Sequence, residues 1–132
     1  MEPRVSFVTL GVSNLERSVR FYEKVFCFPR LPSAKSTALF ELGRVWLQLY
    51  PRESLAADIG VPAESSGFVG ITLAHAVHSA KEVDRIMAEL EAAGTKVLRR
   101  AKAADGDSYC GYIEDPDGFV WEIAYNPYFP HT

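Results

Sequence analysis

Two stretches of this chain begin alike, and their likeness constrains the fold more than any other feature. Val8-Thr9-Leu10 and Ile71-Thr72-Leu73 each sit in an apolar, β-branched run that reads as a strand. Each run leads into a capping-box pattern, Ser13-x-x-Glu16 and Ser79-x-x-Glu82. In such a box the serine oxygen accepts a free N–H of the first helical turn and the glutamate returns to the serine N–H. The helices that follow carry Leu15, Val19, Tyr22 and Phe26 on one stripe, and Val83, Ile86, Met87 and Leu90 on the other. Gly94 suits a left-handed end to the second helix. Further on, Gly43-Arg44-Val45-Trp46 answers Gly118-Phe119-Val120-Trp121. The second of these is entered through Asp115-Pro116-Asp117-Gly118, where proline presets φ and glycine accepts a positive one.

Strand candidates at 36–42, 95–101 and 108–114 complete the halves, so each reads strand, helix, then two or three strands. We expect one domain over 1–132, with module one at about 4–52, a linker at 53–66 and module two at about 67–126. The 51–67 stretch reads as a loop with one helical turn near 54–57. The expected class is α+β: paired βαβββ modules whose strands join in a curved, partly open mixed sheet around a cup-shaped cavity, with the helices outside.

Composition narrows the function. Hydrophobic residues at 48% and charged residues at 23% are those of a globular protein. Fourteen Lys and Arg against seventeen Asp and Glu give a net charge of −3. With no basic excess or stripe, nucleic acid is not an expected partner. No apolar run is long enough to span a membrane. Cys27 and Cys110, without metal-type spacing, suit a reduced, cytoplasmic setting.

The residues Val5 to Tyr22, VSFVTLGVSNLERSVRFY, and Gly111 to Pro127, GYIEDPDGFVWEIAYNP, resemble the vicinal oxygen chelate superfamily. That superfamily includes glyoxalase I, extradiol dioxygenases, fosfomycin-modifying enzymes and bleomycin-binding resistance proteins. The resemblance implies paired modules, commonly assembled as homodimers, around a small-molecule site; it does not imply one reaction. Metal-dependent members place a ligand on the first strand of each module and on the last. The matching residues here are Phe7 and Gly70 on the first strands and Gln48 and Glu122 on the last. Placing Gln48 rather than Leu47 at that position sends Val45, Leu47 and Leu49 to the core and the amide to the cavity. One carboxylate and one amide fall short of the three protein ligands of a catalytic divalent site. We therefore expect no metal and no other cofactor.

Strand alternation predicts the lining instead. Phe7, Thr9, Trp46, Gln48, Phe68, Thr72, Tyr112 and Glu122 are the candidate ligand-binding residues, with Glu122 also the candidate catalytic base. Apolar walls with sparse polar groups describe a site for a small organic molecule. The aromatic residues also read simply as core, and Glu122 as a buried, paired carboxylate. Cys110 reads as an inert thiol, His75 as a rim residue, a general base or a loop residue, and Arg99-Arg100-Ala101-Lys102 as a solvated strand end, with a phosphate or carboxylate clamp as the lesser alternative. The preferred function is metal-independent binding of an apolar or aromatic ligand, resembling the bleomycin-resistance branch. The alternatives are a lyase or isomerase using Glu122 as base or as a weak metal ligand, and an interaction domain with a closed cup.

Overall fold

The computed structural model describes residues 1–64, 66–69, 71–104 and 107–128. Gly70, named in the sequence reading, lies outside them. The chain divides into two compact units, Met1–Gly67 and Phe68–Thr132.

In the first unit β1 (Phe7–Val12) leads into helix α1 (Leu15–Arg20), followed by β2 (Arg30–Leu31), β3 (Ala38–Leu42) and β4 (Val45–Pro51). Their sheet has the order β1-β4-β3-β2, with β1 parallel to β4 and the other pairs antiparallel. The second unit has β5 (Thr72–Val77), helix α3 (Ala80–Ala92), β6 (Lys96–Ala103), β7 (Tyr109–Glu114) and β8 (Val120–Tyr125). Its sheet has the order β5-β8-β7-β6, with β5 parallel to β8. The fold is α+β with open, mixed sheets, and the strands divide into one four-stranded sheet per unit rather than forming one continuous sheet. A parallel pair flanking a helix cannot be closed by a tight turn, which is why each helix crosses over between first strand and hairpins.

One face of each sheet is covered by its helix. In the first unit Tyr22, Phe40, Leu47 and Leu49 are fully buried together, and the Tyr22 and Phe40 rings lie 6.1 Å apart. Each such side chain contributes about 1.5–3 kcal/mol through removal from water. In the second, Val83, Met87 and Leu90 of α3 cover Ile113, Trp121 and Ile123. Gly111 makes this close approach possible, because a Cβ there would meet the Met87 methyl at 2.7 Å.

Several local readings need correction. Asn14, not Ser13, caps α1, accepting from the Arg17 N–H at 3.0 Å. Asparagine is at least as good a cap as serine, and Ser13 instead accepts from the Arg17 guanidinium. At α3 Ser79 is the cap as expected, but the Glu82 carboxylate returns to the His78 N–H rather than to that of Ser79. After Arg20 the first helix widens into a π turn, Phe21–Val25, gathering the rings of Phe21, Tyr22 and Phe26. The short β2 went unread because two residues carry no period. In place of the single turn expected near 54–57, Pro51 ends β4 and α2 (Arg52–Ile59) runs for eight residues to Gly60, whose φ is +83°.

Candidate functional site

The face of each sheet turned away from α1 or α3 carries most of the sequence-predicted site residues. For brevity it is called the far face. In a strand pair, residues directly opposite one another share a face, so the ladder registers assign every side chain.

On the first unit's far face Phe7 lies opposite Trp46, and Thr9 opposite Gln48. The two aromatic rings meet edge to face at 5.7 Å. The Thr9 hydroxyl donates to Gln48 Oε1 at 3.1 Å. Leu47 and Leu49 are buried on the other side, which leaves Gln48 half-buried between them on the far face. Helix α2 closes one end of this surface. Gly11 gives it room, since a Cβ would come within 3.3 Å of Arg52 Cα, and the Tyr50 hydroxyl donates to Asp58 at 2.9 Å. That contact holds the Tyr50 phenol above its ordinary range.

The second unit's far face differs in kind. Arg99 of β6, Tyr112 of β7, Glu122 of β8 and Ala74 of β5 form one row across all four strands. The Arg99 guanidinium lies over the Tyr112 ring, 4.9 Å from its centre. It donates to the Cys110 carbonyl at 2.9 Å and reaches the Cys110 sulfur at 3.0 Å. Its Nε–H is enclosed and has no hydrogen-bond partner among the described residues. Leaving such a donor unmet costs about 1–3 kcal/mol. Burial first, then the Glu122 carboxylate and the Cys110 thiol, push the Tyr112 phenol upward, while Arg99 pulls it back. Tyr112 is therefore a neutral hydrogen-bond donor throughout the physiological range.

Arg99 is the residue that sequence reasoning left out of the candidate site, reading it first as part of a solvated strand end. A regular β6 would set Leu98 opposite Tyr112 and turn Arg99 toward α3. Instead the ladder slips between Val97 and Arg99, and again between Arg99 and Lys102. Each slip is a bulge, which inverts the alternation and re-aims the side chains beyond it. Arg99 and Lys102 thereby join the far face, while Arg100 turns back and pairs with Glu91 of α3 at 2.8 Å. The cluster read as a solvated strand end is thus split between two faces.

Other sequence-predicted residues fall as follows. Thr72 opens β5 opposite Val120 and is exposed on the far face. Phe68 precedes β5, lies in no strand and is 70% exposed. His75 is inside β5 rather than after it; it pairs with Ile123, on the face away from Glu122. Cys110 is buried beneath Arg99, and Cys27 is exposed.

The registers also test the metal positions that the superfamily resemblance implies. Phe7 sits two places before the residue opposite Gln48. Two places before the residue opposite Glu122 is Thr72, whereas Gly70 lies outside the described residues. A phenyl ring, a hydroxyl, an amide and one carboxylate do not make a divalent-metal site. Among the described residues no three His, Cys, Asp or Glu side chains gather to hold a metal. The donor set does not fit.

A family model for the Glyoxalase/Bleomycin resistance protein/Dioxygenase superfamily matches residues 4–123. The chain belongs to this superfamily. It is 30% identical over 122 residues to a metallothiol transferase FosB from Shouchella clausii, spanning 90% of this chain and 77% of that protein. A FosB from Bacillus licheniformis is 29% identical, over 90% and 73% of the two chains. Among solved structures, a glyoxalase-related enzyme from Fulvimarina pelagi superposes with a TM-score of 0.88 at 35% identity, covering 98% of this chain and 92% of that one. No helix among the described residues is long and apolar enough to cross a membrane.

Proposed function

We propose that this member of the superfamily binds a small organic molecule on its far faces without a metal centre built from three protein ligands. The observation that carries the reading is the pairing of Phe7 with Trp46, where a metal ligand and its neighbour would stand in metal-dependent relatives. Edge-to-face aromatic pairs offer large, rigid, apolar contact area. On this reading Phe7 and Trp46 take the ligand's apolar or aromatic part, while Thr9 and Gln48 hydrogen-bond to it. On the second unit's own face Tyr112 and Glu122 would offer polar contacts, and Thr72 and Phe68 complete the candidate set. The test is thermal unfolding of the full chain against a library of small aromatic compounds. A binder raises the melting temperature as its concentration passes the dissociation constant, and Trp46→Ala abolishes the shift. A library without a stabilising compound would favour the interaction-domain reading.

A second reading is catalysis, favoured by the similarity to proteins named as transferases. Glu122 would take a proton from a bound substrate, and the neutral Tyr112 phenol beside it would donate to the oxygen where charge develops. This reading requires turnover that Glu122→Gln removes while leaving binding intact. The working unit is taken as a cytoplasmic homodimer, which light scattering on the purified protein tests.

A further inference from the structure

Arg99 and Glu122 stand at two places of one row, with Tyr112 between them. Adjacent strands are spaced by about 4.8 Å, so the two charges rise from backbones about 10 Å apart. Both side chains are half-buried. Among the described residues neither has a counter-charge: Arg99 meets only Cys110 and the Tyr112 ring, and Glu122 accepts no hydrogen bond. Half-buried opposite charges that do not pair with each other leave both with unmet capacity, which is costly unless something else supplies partners. A strand slip between Val97 and Arg99 brings Arg99 into this row.

Basic residues and bulges also protect sheet edges, and β6 is an edge strand. That role needs only a solvated charge, such as Lys102, which is exposed. It does not account for a guanidinium laid over a ring with its Nε–H enclosed.

We propose that the Arg99–Tyr112–Glu122 row selects an amphoteric ligand, one bearing an anionic group for Arg99 and a cationic or strongly donating group for Glu122. The proposal rests on the far-face reading and adds the charge class of the ligand. A planar guanidinium takes a carboxylate or a phosphonate through two parallel N–H bonds. The Tyr112 hydroxyl donates to the same anion or to a neighbouring oxygen. Glu122 holds the positive end and repels a ligand that carries only negative charge. Ala74, at the far end of the row, adds no bulk beyond its methyl group.

The test uses three isosteric probes on the full chain by calorimetry: 4-(aminomethyl)benzoate, 4-methylbenzoate and 4-methylbenzylamine. All share one ring, and they carry both charges, the negative charge alone, or the positive charge alone. The wild type is expected to bind the first about tenfold more tightly than either of the others, the factor that one charge-assisted contact contributes. Arg99→Gln should erase the advantage over the amine, and Glu122→Gln the advantage over the benzoate. Arg99→Lys should restore part of the first. Equal affinities for the three probes in the wild type, or no binding by any of them, would overturn the proposal even if a variant fails to fold. So would an Arg99→Gln protein that self-associates with its probe ranking unchanged. If all three bind equally and Trp46→Ala weakens each alike, the charge row fails while the far-face reading survives.

Discussion

The two far faces share a strand order and a pattern of directions, yet they satisfy their polar groups in opposite ways. In the first unit the polar groups meet each other: Thr9 donates to Gln48, and Tyr50 to Asp58. In the second, Arg99 and Glu122 stand in one row without pairing, and the Arg99 Nε–H has no acceptor among the described residues. A surface whose polar groups are already met offers a ligand shape and apolar area. One with unmet groups offers charge and direction. On the proposal above, the first face would suit apolar contact and the second charged contact.

The sharpest contrast lies between either far face and the packing behind it. Leu47→Ala or Ile113→Ala, each removing a fully buried side chain, should cost about 2–5 kcal/mol of stability. Substitutions at Phe7 or Thr72, exposed on the far faces, should cost far less. Denaturant unfolding measures both sets. Equal costs would mean that the far faces are core, and the comparison would break.

Next in size is the loss of aromatic area. Trp46→Ala should weaken ligand binding by about 2 kcal/mol, with stability little changed. Glu122→Gln should weaken it by about 1 kcal/mol or more if the ligand brings a charge-assisted donor. Calorimetry that finds Glu122→Gln more harmful than Trp46→Ala would reverse the division of labour between the faces.

Smaller still is the alkaline behaviour of Tyr112, whose phenol is raised by burial, by Glu122 and by Cys110. A raised phenol means that the folded state favours the neutral form. The stabilisation is complete below the unfolded value near 10 and is lost as pH climbs through the folded value. Tyr112→Phe should therefore flatten the loss of stability above that pH. An unchanged alkaline limb would place the phenol in water. The smallest effect is expected at Thr9→Val, which removes one neutral hydrogen bond worth about 0.5–1.5 kcal/mol while keeping the shape.

What the sequence made legible follows its periodicities. Alternation along Val45-Trp46-Leu47-Gln48-Leu49 separated core from far face correctly, because β4 is regular and lies between β1 and β3. The stripe on α3 and the Gly94 stop were legible for the same reason; Gly94 has a φ of +88°. The Asp115 turn was legible from its residue types, and the Asp115 carboxylate accepts from the Asp117 and Phe119 N–H groups. Arg99 was not legible, since a bulge leaves no mark in an alternating pattern and reverses everything after it. Only one turn of α2 was legible, near 54–57, because its Arg52–Ile59 run shows no clear apolar face, with Ala56 its only buried residue. The counterpart of Phe7 was misjudged as well. Matching Val8-Thr9-Leu10 to Ile71-Thr72-Leu73 points to Gly70, whereas the strand registers make it Thr72.

The central claim is that these faces serve an organic ligand rather than a metal held by protein donors. Elemental mass spectrometry measures it directly, on protein purified without chelator and again after incubation with Ni²⁺, Zn²⁺, Mn²⁺ and Fe²⁺. The account predicts metal well below one equivalent per chain, the same in the wild type and in Glu122→Ala. One equivalent of a single metal, lost on Glu122→Ala, would contradict it.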